Sequence, residues 1–105
     1  PEVADALELG DVVIDLAKMV VVRAGARTAL TPREVGIVRW LHRNEGRVVS
    51  RGELLEQVFG QRGDLQTRAV DMAIAVLRKK LEADPGKPQL IVSVKRPGYA
   101  WRLAR

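Results

Sequence analysis

A chain of 105 residues, 47% hydrophobic and 30% charged, holds enough apolar surface for one core and not two, which excludes a disordered segment. It has no cysteine, hence no disulfide framework and no thiolate metal site; no apolar run approaches the roughly 18 residues of a membrane span, and no charged-then-apolar leader opens the chain. The net charge of +5 is uneven, with five acids against three bases in residues 1–30 and fifteen bases against eight acids in residues 31–105. That is the distribution of a cationic part that meets a polyanion, and equally of a solvated basic surface.

The first thirty residues read as a small antiparallel sheet. Short extended runs, Ala6–Leu9, Val12–Asp15, Met19–Arg23 and Arg27–Leu30, are separated by Gly10-Asp11, Leu16-Ala17-Lys18 and Ala24-Gly25-Ala26, a spacing that suits hairpins. No functional residue stands out here, and the section is expected to cover one side of the core. A first helix is announced by Thr31-Pro32-Arg33-Glu34: Thr31 can cap, Pro32 suits the first helical position, Glu34 can close a capping box, and Leu30 can staple onto Val35. Ile37, Val38 and Leu41 form its buried stripe and Gly46 is a stop. His42 is the only histidine, so neither a metal site nor paired acid–base catalysis has its components.

Val48-Val49 reads as a short strand, and Ser50-Arg51-Gly52-Glu53 repeats the capping-box pattern before a short helix carrying Leu54, Leu55, Val58 and Phe59 and ending at Gly60. The seven residues Gly60–Gln66 exceed the connection of a tight helix-turn-helix and predict a variant with a distinctive loop. The third helix, Thr67 to Leu81, has two unlike faces. Val70, Ile74, Leu77 and Leu81 form an apolar stripe, and about 180° away, at roughly 100° per residue, stand Arg68, Met72, Ala75 and Lys79, with Val76 and Asp71 on the shoulders. A slim face with a cation at either end suits insertion into the major groove of DNA; packing on a second helix or a dimer partner would use the same residues.

Asp84-Pro85-Gly86-Lys87-Pro88 ends the helix. Leu90–Val94 and Tyr99–Leu103 then form a hairpin around Lys95-Arg96-Pro97-Gly98, with Pro97-Gly98 as the central pair of a type II turn and Tyr99, Trp101 and Leu103 on one face. Such a hairpin with Lys95 and Arg96 at its tip is a wing, or else a solubilising tip.

The run from Leu30 to Gly60, the segments Thr67-Arg68-Ala69-Val70-Asp71 and Leu77-Arg78-Lys79-Lys80-Leu81-Glu82, and Val94-Lys95 with Gly98-Tyr99 together resemble the winged-helix effector domains of bacterial two-component response regulators, the OmpR/PhoB type. The resemblance covers essentially the whole chain. It implies an α+β winged helix-turn-helix: one domain over 1–105, with an N-terminal sheet (1–30), a three-helix core (31–83) and a wing hairpin (90–104). It further implies transcriptional control on tandem or inverted half-sites in the cytoplasm, with the third helix in the major groove, the wing in the adjacent minor groove, and RNA polymerase touching Gly60–Gln66. Family members carry a phosphorylatable receiver domain, and none fits here, so the chain reads as an excised effector domain or a stand-alone protein. Departures from the family pattern fall at Ala73, where a histidine is usual, at Ala75 and Val76, where base-reading polar residues are frequent, at Arg96-Pro97 in place of the wing glycine, and at Phe59 in place of a tryptophan.

The functional expectation is therefore sequence-specific binding of double-stranded DNA. Arg51, Thr67, Arg68, Lys79 and Tyr99 are the expected phosphate contacts. Met72, Ala75 and Val76 would meet base edges, with Lys95 and Arg96 in the minor groove. The alternative is a protein-interaction module using the apolar face of the third helix. An enzyme is not expected: no nucleophile is paired with a base, and there is no Gly-rich phosphate loop, cofactor motif or metal cluster.

Overall fold

The structure, a computed structural model, describes residues 5–62, 67–94 and 98–102. It opens with a meander of four antiparallel strands in the order β1 (Ala6–Leu9), β2 (Val12–Asp15), β3 (Val20–Arg23) and β4 (Ala26–Ala29). Pairing Leu7 with Ile14 and Ile14 with Val21 puts these three side chains on one buried face, as the period of two requires. The boundaries of two strands differ from the sequence reading by one residue, for a backbone reason. Met19 takes a φ of 56° and closes the turn before β3, while Ala24 and Gly25, at 50° and 82°, form a two-residue hairpin turn that returns Ala26 to the ladder.

α1 (Pro32–Arg43) begins with the full capping box: Glu34 N–H donates to Thr31 Oγ1 at 3.1 Å, and Thr31 N–H donates to Glu34 Oε1 at 2.9 Å. β5 (Val49–Ser50) leads into α2 (Arg51–Gln57), where only half of the expected box forms. Ser50 Oγ accepts from Glu53 N–H at 3.0 Å, but the Glu53 carboxylate turns to the guanidinium of Arg47, at 2.6 and 3.0 Å, and to Trp40 Nε1, at 2.9 Å. A cation and an indole N–H outbid one backbone amide. α2 also stops before Val58 and Phe59, which are half-buried as the chain turns away.

α3 (Arg68–Leu81) is followed by the hairpin β6 (Ile91–Val94) and β7 (Gly98–Trp101), which joins β5 in a second sheet of order β5-β7-β6. Gly98 is not at the centre of a turn, as its sequence suggested, but opens β7 opposite Val94 and Ser50. The glycine is required there by close approach, since a Cβ would lie 2.7 Å from the Val49 carbonyl oxygen. Leu103 and the tip residues Lys95, Arg96 and Pro97 lie outside the described residues. Buried side chains from both sheets and all three helices form a single core, with Ile14, Ile37, Leu41, Leu54, Leu55 and Trp101 among its largest members. This packing fixes α3 and leaves one of its faces uncovered.

Candidate nucleic-acid interface

The stripe read from periodicity is buried without remainder: Val70, Ile74, Leu77 and Leu81 are each 0% exposed. Opposite it Arg68, Met72, Ala75, Val76 and Lys79 face solvent, with Met72 62% and Val76 47% exposed. Met72 and Val76 are thus large apolar side chains left open to solvent on the face opposite the buried stripe. Neither Arg68 nor Lys79 makes a hydrogen bond or ion pair among the described residues, so both retain their full set of donors.

At the N-terminal end of α3, Thr67 makes no side-chain cap. The first turn is held instead by Asp71, whose Oδ1 accepts from Arg51 Nε at 2.6 Å and from the Tyr99 hydroxyl at 2.6 Å. The start of α2, the first turn of α3 and the wing strand β7 thus meet at one oxygen atom. The guanidinium of Arg51 also lies 5.7 Å from the centre of the Tyr99 ring, and that of Arg78 lies 5.4 Å from it. Burial pushes the Asp71 carboxyl up, but the hydrogen bonds from Tyr99 and Arg51 outweigh it and hold the group below its ordinary value. Tyr99 is raised, first by burial and then by the bond it donates to Asp71; Arg51 is raised chiefly by its bond to Asp71.

The C-terminal end of α3 is tied differently. Arg23, on the inner face of β3, donates to the Leu81 carbonyl oxygen and pairs with Asp11 at 3.0 Å. Lys80 Nζ reaches the Ala29 carbonyl oxygen at 3.0 Å and the buried Glu34 carboxylate at 2.7 Å. Arg78 donates to the Ile91 carbonyl oxygen and to Ser93 Oγ, between 2.8 and 3.0 Å. Glu82, only 5% exposed, accepts from the backbone N–H groups of Gln89, Leu90 and Ile91 at 2.7 to 3.1 Å, closing the Asp84–Pro88 loop on itself.

The structure therefore sorts the residues singled out from sequence. Arg68, Met72, Ala75, Val76 and Lys79 lie together on one open face, and Thr67 and Arg51 are half-buried at its N-terminal edge. Tyr99, expected as a phosphate contact, is 5% exposed and its hydroxyl donates to Asp71, because β7 turns that side chain toward the core. Lys95 and Arg96 fall outside the described residues, as do positions 63–66 of the loop expected to meet RNA polymerase. Asp71, Arg78 and Glu82 were visible as letters of the third helix but not as its anchors, since their partners lie 7 to 28 positions away in the chain. His42 stacks edge-on to Trp101 at 5.8 Å.

A family model described as the C-terminal domain of transcriptional regulatory proteins matches residues 25–101. The chain is 41% identical over 98 residues to the DNA-binding response regulator MtrA of Mycolicibacterium smegmatis, which covers 93% of this chain but only 43% of that protein. Its structure is similar to that of the response regulator DrrB, an OmpR/PhoB homologue from Thermotoga maritima, with a TM-score of 0.79 and 33% identity, over 93% of this chain and 44% of DrrB. It also matches the Klebsiella pneumoniae RstA DNA-binding domain in complex with its RstA box, with a TM-score of 0.76, 30% identity, and 92% and 96% of the two chains covered. The chain thus spans less than half the length of the full-length regulators it matches.

Proposed function

The chain belongs to the family of C-terminal domains of transcriptional regulatory proteins, and we propose that it is the winged-helix effector domain of a two-component response regulator, binding specific sequences of double-stranded DNA to control transcription. The observation that carries this reading is the open face of α3, with exposed cations at either end that have no partner among the described residues and apolar side chains between, on a helix whose other face is buried. A groove with phosphate walls and base edges between them is complementary to that pattern. Arg51, Thr67, Arg68 and Lys79 hold phosphates, Met72, Ala75 and Val76 meet base edges, and Lys95 and Arg96 enter the minor groove. Tyr99 supports this face through Asp71 rather than touching DNA.

The regulator works in the cytoplasm, joined to a receiver domain, and Gly60–Gln66 meets RNA polymerase. No helix among the described residues is long and apolar enough to cross a membrane. The test is the salt dependence of binding to a duplex selected from a random library. With about five phosphates neutralised, log affinity should fall against log salt with a slope of about −4 to −5. A flat response removes DNA as the partner.

A further inference from the structure

We infer that Asp71 is a positioning residue of the DNA face: its Oδ1 fixes Arg51, so that the terminal nitrogens of that guanidinium stand ready for a backbone phosphate, and it holds the Tyr99 hydroxyl as a second brace. The inference rests on the DNA-binding reading above.

Arg51 binds Asp71 through Nε at 2.6 Å, with the Tyr99 hydroxyl as a weaker second neighbour, and its terminal nitrogens make no other hydrogen bond among the described residues. Its planar fork is therefore oriented from one side and open on the other, the arrangement that favours bidentate recognition of a phosphate. The brace is built on rigid backbone. Val49 pairs with Tyr99 and Ser50 with Gly98, so the residue that caps α2 and the strand that carries Tyr99 are locked one position from the cluster. The approach there is so close that no side chain fits at Gly98. Asp71 in turn sits in the first turn of α3, where the helix dipole favours a negative charge.

The charge of Asp71 makes the inference testable by sign. An exposed anion beside a DNA-binding face repels phosphate, so by charge alone Asp71→Asn should tighten binding, by about twofold at moderate salt. Positioning requires the opposite. An Asn oxygen accepts more weakly from a guanidinium, Arg51 loses its fixed orientation, and binding should weaken by about tenfold. The salt slope should become shallower by about one, the loss of a single phosphate contact.

The experiment measures affinity for one selected duplex across a salt series, with thermal unfolding in parallel, for the unsubstituted chain, Asp71→Asn, Arg51→Ala, the double variant and Tyr99→Phe. Arg51→Ala should match Asp71→Asn in both affinity and slope, and the double variant should bind no more weakly than either, because the two act as one unit. Tyr99→Phe should weaken binding by only about two- to threefold and leave the slope unchanged, since it removes a brace and not a phosphate contact. Tighter or unchanged binding by Asp71→Asn overturns the inference, as does additivity in the double variant, or a lower unfolding temperature with an unaltered slope. If Asp71→Asn fails to fold, the Tyr99→Phe slope decides: a slope shallower by about one makes Tyr99 itself the phosphate contact. Failure of the unsubstituted chain to bind any duplex would instead sink the DNA-binding reading.

Discussion

The two ends of α3 are held by different means. At the C-terminal end most partners are backbone groups: Arg23, Arg78 and Lys80 reach carbonyl oxygens and Glu82 gathers three N–H groups, much of it out of water, with the Lys80–Glu34 ion pair beside them. At the N-terminal end Thr67 makes no side-chain cap, and a half-exposed carboxylate joins two side chains from other elements. Contacts to buried backbone are costly to break and belong to the fold, whereas side-chain contacts at the surface can be exchanged for a ligand at little loss. The C-terminal end therefore carries stability, and the N-terminal end keeps contacts that a partner can use.

The largest effect is expected from Glu82→Ala. It leaves the amides of Gln89, Leu90 and Ile91 without their acceptor, two of them buried, and should cost about 3 kcal/mol or more. In a domain of this size the unfolding temperature should fall by more than about 10 °C, read by calorimetry. At a temperature where the variant is folded, its DNA affinity should remain within about twofold of the original. A large loss of affinity in the folded variant would show that the two ends are not separable.

What the sequence disclosed follows the same division. Relations within one turn or one period were legible: the Thr31 to Glu34 box and the stripe of Val70, Ile74, Leu77 and Leu81 needed no knowledge of the rest of the chain. The second box was only half right because Arg47 and Trp40, brought close by α1 and its exit, compete for Glu53. Asp71 was placed correctly on the shoulder of α3, yet its partners 20 and 28 residues away are set by how β5 and β7 pair, which periodicity does not reveal. The close approach at Gly98 is of the same kind, and local turn chemistry gave the wrong reason for that glycine.

A smaller effect separates the ends by pH. The folded pKa of Asp71 lies below its ordinary value of 3.8, so the stability it contributes is present above that value and is lost as pH falls through the folded one. The folded pKa of Tyr99 lies above 10.0, so its contribution is complete below that value and is lost as pH rises through the folded one. The N-terminal cluster should loosen at both extremes. Denaturant midpoints measured across pH should show both limbs, with the acid limb shallower in Asp71→Asn and the alkaline limb absent in Tyr99→Phe. Unchanged limbs in both variants would mean that other groups govern the pH response.

The smallest effect asks whether the open end reads sequence. Met72, Ala75 and Val76 cannot make the bidentate hydrogen bonds by which arginine reads guanine or asparagine reads adenine, so any direct selectivity in the middle of this face must come from apolar contact. The apolar group that a base edge offers in the major groove is the thymine methyl. Met72 and Val76, 62% and 47% exposed, have surface left to cover it. One buried methyl is worth about 0.8 kcal/mol, close to a fourfold change in affinity. Replacing thymine by uracil at each position of a selected site removes the methyl and leaves every base-pairing hydrogen bond intact. One or two positions should lose a few-fold in affinity, and that loss should vanish in Met72→Ala or Val76→Ala, while Lys79→Ala weakens all duplexes alike. If every uracil duplex binds as tightly as its parent, this trio does not read methyls, and its exposed apolar surface is better explained as a contact for another protein.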